Sequence, residues 1–162
     1  MILRPETPAD RAAIQALTAA AFDGHPHSDG SEPRIIEALR DSDALTLYLV
    51  AEIDGEVVGH VAFSPVEWPG QGDWFGLGPV SVAPARQGQG IGRQLIDHGL
   101  DALRNQGARG CVVLGDPDYY DRFGFVQNPR LTYPGPPPEY FKALAFGPIQ
   151  GSGDVAYHPA FG

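Results

Sequence analysis

The stretch ARQGQGIGRQ, from Ala85 to Gln94, constrains this chain more than any other. Its glycines, at 88, 90 and 92, lie between the apolar run FGLGPVSV and a helical pattern carrying Ile91, Leu95, Ile96, Leu100 and Leu103 on one side. Where a strand turns tightly into a helix, the first helical amides have no carbonyl behind them and the helix dipole favours an anion. Glycine removes the Cβ that would hold a phosphate away from those amides. One glycine serves an ordinary strand-to-helix turn; alternating glycines, each costing chain entropy, point to a phosphate. Arg86 and Arg93 flank the turn and add charge-assisted contacts.

Three kinds of phosphate turn can be compared. A nucleoside-triphosphate loop ends in Gly-Lys-Ser/Thr, whereas this one ends Gly92-Arg93-Gln94. A dinucleotide turn reads G-x-G-x-x-G in the first strand-helix unit; counted from Gly88, the last glycine is replaced by Arg93, and a hairpin precedes the turn. The third spacing, Gln/Arg-x-x-Gly-x-Gly/Ala after a strand, fits Gln87-Gly88-Gln89-Gly90-Ile91-Gly92 throughout.

The remaining elements read as a mixed sheet with helices. MILRPE is a short first strand; Thr7 caps a helix with Pro8 at its first position and Asp10 closing a capping box. Ile14, Leu17, Ala21 and Phe22 recur at helical spacing, and a second helix runs through Ile35, Ile36 and Leu39. Asp54-Gly55 between two apolar runs predicts a tight hairpin that pairs Ile53 with Glu56, Leu49 with His60 and Leu47 with Ala62. That register puts His60 among Leu47, Leu49 and Val58 as a packed histidine rather than a ligand. WFGLGPVSV is the next strand, with Pro79 marking a bulge or unpaired position. CVVLG follows the helix and pairs in parallel with it through a right-handed crossover. The tail, through YPGPPPEYF, KALAFG and GDVAYHPAFG, reads as loop, strand and strand. The fold class is α/β or α+β, with residues 1–162 forming one domain.

Composition excludes several functions. With 20 acidic against 11 basic residues and Lys142 as the only lysine, the chain lacks the basic patch that nucleic acid requires. Its single cysteine, Cys111, makes no internal disulfide or thiolate cluster, lies in an apolar run and reads as a buried strand residue. No metal site is expected. No apolar run reaches membrane-spanning length and no leader is evident, so a cytoplasmic location is expected.

With the turn, the element order and the stretch YYDRFGF in place, the sequence resembles the GNAT superfamily of acetyl-CoA-dependent N-acetyltransferases. YYDRFGF contains Tyr-x-x-x-Gly-Phe as Tyr120, Gly124 and Phe125. The resemblance covers nearly the whole chain. Within the superfamily, LGDPDYYDRFGF and the terminal YHPAFG are most similar to a small bacterial YhbS-like branch.

The resemblance implies a mostly antiparallel sheet whose parallel fourth and fifth strands splay to admit coenzyme A. It implies that Gln87, Gly88, Gln89, Gly90, Ile91, Gly92 and Arg93 hold the pyrophosphate. It gives Val80 and Val82 main-chain contacts to the pantetheine, with the Val80 N–H facing the thioester oxygen. Tyr120 matches the general-acid tyrosine; Tyr119 lacks the spacing to Gly124. Some members carry a glutamate on the fourth strand, where this chain has Gly76. The base is therefore open between Glu67, Asp73 and water. His25, His27, Asp29 and Glu32 are candidates for gripping a cationic amine. Asp116 takes the place of an asparagine common in the family, and no role is assigned to it. Acetyl transfer to a primary amine of a small molecule or peptide is the expected reaction, with a non-catalytic acyl-CoA-binding module as the competing class. The Pro-rich arm PGPPPEYF offers a means of pairing two copies as a homodimer.

Overall fold

One carboxylate ties the first strand to the first helix in the structure, a computed structural model that describes residues 1–25, 28–42 and 47–161. Strand β1 (Ile2–Pro5) leads to Thr7, and a 3-10 turn (Pro8–Asp10) opens helix α1 (Arg11–Phe22). Asp10 accepts from the Thr7 N–H at 2.7 Å and from two nitrogens of Arg4 at 2.7 and 2.9 Å. The expected capping interaction is present, and Arg4 extends it into the strand.

The chain forms two compact units, Met1–Phe63 with Gly78–Gly99, and Ser64–Leu77 with Leu100–Gly162. The first holds β1, α1, α2 (Glu32–Asp41), β2 (Leu47–Ile53), most of β3 (Glu56–Val66), the end of β4 (Trp74–Val82) and the start of α3 (Ile91–Asn105). Asp54 at φ 53° and Gly55 at φ 80° make the tight turn expected between β2 and β3. Ile53 pairs with Glu56 as predicted, but the register then shifts at Ala51/Glu52, so His60 lies opposite Val50 and Leu47 opposite Phe63. A bulge inserts one residue and moves every later side chain to the other face. Residues 58–64 of β3 are all buried, so no polar alternation in the sequence marks the slip. His60 therefore stacks on Tyr48, with ring centroids 6.2 Å apart, rather than among the leucines.

The corrected register explains how helices cover β2 and β3. On the Val50 side, Ile14 of α1 and Ile36 of α2 complete a buried cluster. Gly59 lies beside Ala51, and a Cβ on it would come within 2.9 Å of Ile91 and Leu95 of α3. The missing side chain lets α3 sit directly on the strand. Ile91, Leu95, Ile96, Leu100 and Leu103 are all buried, as their spacing predicted. Truncating Leu95 to alanine costs about 2–5 kcal/mol by analogy with other core leucines.

In the second unit, β4 pairs in parallel with β5 (Gly110–Leu114), from Trp74↔Gly110 to Leu77↔Val113. Antiparallel β7 (Phe141–Ala145) borders β5. A small helix, α4 (Pro117–Tyr120), follows β5, and β6 (Leu131–Thr132) pairs with β8 (Gly153–Asp154) in a separate parallel ribbon. The last predicted strand is thus only a short one; beyond it, Ala156 bridges Glu67 and a 3-10 turn covers Pro159–Phe161. Trp74, Val112, Leu131, Phe141, Ala143 and Val155 form the core of this unit. Neighbour by neighbour the strand order is β1-β2-β3-β4-β5-β7, with β1–β2, β2–β3 and β5–β7 antiparallel and β4–β5 parallel. The mixed, mostly antiparallel sheet expected from the sequence is present.

Candidate active site

The glycine turn is built as the sequence suggests, with one refinement. Gly88 and Gly90 adopt left-handed backbone at φ 79° and 81°, while Gly92 belongs to α3 itself. Among the described residues beyond its chain neighbours, a Cβ at Gly88 or Gly90 would meet no atom within 4 Å, so it would project into open space. The helical ladder begins with the Gln94 N–H donating to the Gly90 carbonyl at 3.1 Å. The amides of Gly92 and Arg93 precede that bond and have no helical carbonyl behind them. Among the described residues neither Arg86 nor Arg93 has an ion-pair partner, so both charges remain available in a chain of net charge −9. Side-chain-free backbone, unpaired amides and two guanidinium groups suit a diphosphate.

The approach to the turn is held from within the same unit. The Gln87 side-chain amide donates to the Val82 carbonyl at 3.1 Å, and the Ala83 N–H donates to the Val58 carbonyl at 2.8 Å. Val80 and Val82 are half-buried, whereas Ser81 between them is buried and contacts Thr18 of α1 at 3.4 Å. Gly78, at φ 133°, interrupts regular extended backbone ahead of Pro79.

Tyr120, in the second unit, closes α4. Asp116 caps that helix by accepting from the Asp118 N–H at 2.9 Å, the role left unassigned by the sequence. The Tyr120 ring packs against Tyr119, Phe123 and Phe125, with centroids 5.1, 6.2 and 6.1 Å away. A Cβ at Gly115 would come within 2.6 Å of this ring. Burial, then the neighbouring Tyr119, Asp116 and Cys111, push the Tyr120 phenol up to about 12. It is therefore a neutral hydrogen donor throughout the physiological range. Lys142 of β7 donates to the Pro117 carbonyl at 2.9 Å and to the Asp121 carboxylate, gripping both ends of the α4 turn. Nothing in the sequence linked Lys142 to Tyr120.

The other candidates separate clearly. Gly76, where some members of the family carry a carboxylate, is covered by Tyr157: a Cβ there would lie 2.6 Å from the Tyr157 ring. Glu67 and Asp73 are exposed, and their backbones bond to Ala156 and Arg109. His25 and Glu32 line a cavity of about 250 Å³ with Phe22, Asp23 and Ser28. Asp29 instead accepts from the Ser31 N–H at 3.0 Å, and His27 lies outside the described residues. Burial pushes the Cys111 thiol far above its ordinary value, as suits an unreactive core residue. Among the described residues no helix is long and apolar enough to cross a membrane.

A parallel strand pair in a mostly antiparallel sheet, joined through a glycine turn at a helix head, defines a mixed α/β fold. The comparisons make the class specific. Residues 11–125 match the acetyltransferase (GNAT) family. The N-acetyltransferase YhbS of Escherichia coli strain K12 is 40% identical over 99% of this chain and 98% of its own. A GNAT family acetyltransferase from Brucella melitensis, solved in complex with acetyl-CoA, superposes with a TM-score of 0.88 at 54% identity, covering 99% of this chain and 97% of that one. YhbS from Escherichia coli, solved in complex with CoA, superposes with a TM-score of 0.86 at 37% identity, covering 99% and 91%. The chain belongs to the GNAT family of acetyltransferases and is an N-acetyltransferase.

Proposed function

We propose that this enzyme transfers acetyl from acetyl-CoA to a primary amine of a small molecule or peptide, by direct attack while donor and acceptor are both bound. The observation that carries the donor assignment is the pair of left-handed glycines, Gly88 and Gly90, ahead of the unpaired α3 amides. The reading is supported by two similar structures, one bound to acetyl-CoA and one to CoA.

When bound, acetyl-CoA supplies a thioester whose carbonyl carbon an amine can attack. The backbone of Gln87, Gly88, Gln89, Gly90, Ile91 and Gly92 holds the pyrophosphate, with Arg93 adding charge. Main-chain groups of Val80 and Val82 bind the pantetheine arm, and the Val80 N–H stabilises negative charge growing on the carbonyl oxygen. An N–C bond forms as the C–S bond breaks. Tyr120 gives its proton to the departing sulfur and regains one from solvent, while the amine loses its proton to water. The raised pKa of Tyr120 keeps the proton on the phenol at neutral pH, so the residue can donate a proton there but cannot act as a base.

Release of free thiol from acetyl-CoA across a panel of primary amines tests this function. Saturable CoA binding without thiol release for any amine would favour a binding module and overturn the catalytic reading.

A further inference from the structure

Strand β5 is buried from Gly110 to Val113 and opens to solvent at Leu114, which is 41% exposed. Val112 lies opposite Ala143 and Leu114 opposite Phe141, and Val112, Ala143 and Phe141 belong to the core of the second unit. Paired residues, and alternate residues along a strand, share one face of a sheet. Leu114 therefore carries the core face past the point where it is covered. The ladder runs one residue further: the Gly115 N–H donates to the Tyr140 carbonyl at 2.9 Å, and Tyr140 is 39% exposed. Two large apolar side chains are thus open to solvent at one strand end.

The other face of that strand end belongs to Tyr120. A Cβ on Gly115 would lie 2.6 Å from the Tyr120 ring and 3.6 Å from the ring carbon that bears its hydroxyl. Successive side chains along a strand point to opposite faces, so Leu114 and the Tyr120 ring flank the end of β5 from its two sides. A single exposed leucine calls for no explanation by itself. Its place beside the proton donor gives this one a use. An amine attacking a thioester directly must enter on a side that the departing sulfur does not occupy. With Tyr120 at the sulfur, the open side is the face that Leu114 carries. Of the acids near this end, Asp116 is held in the α4 cap and Glu139 is exposed to water that screens it.

We propose that Leu114 and Tyr140 receive the acceptor and select a primary amine borne on an apolar, aromatic body. Leu114 covers the flat face of that body, and the Tyr140 ring packs against its edge. Both side chains gain the apolar contact that the rest of the core face already has. The inference names the acceptor class for the reading in which Tyr120 meets the leaving sulfur, and it rests on that reading.

Phenethylamine and ethanolamine are the probes, titrated at about pH 9, where more of an amine is neutral, into full-length protein saturated with CoA. The parent should bind phenethylamine about tenfold tighter than ethanolamine, because only the first brings an apolar body. Leu114→Ser should cut that preference to about threefold or less, with CoA affinity and melting temperature near those of the parent. Leu114→Gln, which keeps the length and adds polarity, should act in the same direction, and Tyr140→Ser should do so more weakly. Equal affinity for the two amines in the parent overturns the proposal, and so does failure of the parent to bind phenethylamine. A preference that survives in both Leu114 variants overturns it as well. Loss of CoA affinity in those variants, with the amine preference unchanged, would place Leu114 on the donor side instead. Tyr120→Phe should leave both amine affinities intact. Full turnover in Tyr120→Phe would therefore overturn that residue's role separately.

Discussion

The Lys142 ammonium lies 2.9 Å from the Pro117 carbonyl, so β7 holds the helix that ends in Tyr120. It also pairs with Asp121, which is 60% exposed on its side chain against 11% for Lys142. Water screens the pair with exposed Asp121, so the carbonyl contact matters more. Lys142→Met should lower kcat about tenfold, leave the KM for acetyl-CoA unchanged and cost about 1 kcal/mol in urea unfolding. Asp121→Asn should do less on both counts. A rise in the acetyl-CoA KM with kcat intact would show that the clamp does not serve Tyr120.

Tyr120→Phe removes the proton donor while keeping the ring against Gly115, Phe123 and Phe125. A loss of about 10²-fold in kcat, with little change in KM, is expected for a group acting on the leaving sulfur. The pH profile gives a second check. The phenol must keep its proton, so its contribution is lost only as pH rises through about 12. Steady-state rates should show no loss due to this residue between neutrality and about pH 10. A limb near pH 8 or 9 that disappears in Tyr120→Phe would contradict the raised value.

Gly90→Val should affect the donor through both shape and backbone. Left-handed backbone at φ 81° resists a β-branched residue, and the side chain would project above the turn. A weakening of CoA binding by tenfold or more, with a stability cost of about 1–2 kcal/mol, is expected. Calorimetric titration with CoA measures the first and urea unfolding the second. Unchanged CoA affinity would remove the pyrophosphate from this turn.

Acid should destabilise the first unit through Asp10 and Glu6. The hydrogen bond from Arg4, with burial opposing it, holds Asp10 well below the usual carboxylate range. Burial pushes Glu6 up, but hydrogen bonds from His60 and Arg40 outweigh it and its pKa also falls. Both folded values lie below the unfolded ones, so this stabilisation is complete above about pH 5 and is lost as pH falls through the folded values. Asp10→Asn should cost about 1–3 kcal/mol at neutral pH and flatten the decline between about pH 5 and pH 2. An equal decline in that variant would place the acid sensitivity elsewhere.

Features that depend on neighbours along the chain were legible in the sequence. The turn of Gln87 to Gly92 was, because left-handed backbone at a helix head is a local property that glycine spacing reports. The apolar side of α3 and the Asp54-Gly55 hairpin were legible for the same reason. The bulge at Ala51/Glu52 was not, because β3 is buried on both faces and a slip leaves no polar mark. Contacts between residues far apart in the chain were equally hidden. Glu6 on His60, Lys142 beneath α4 and Tyr157 over Gly76 join segments that no periodicity relates. Sequence alone determined where the glycine turn meets the head of α3 and which tyrosine stands four residues before Gly124. Tertiary structure alone decided what steadies that tyrosine and what covers Gly76, because both depend on long-range packing of side chains.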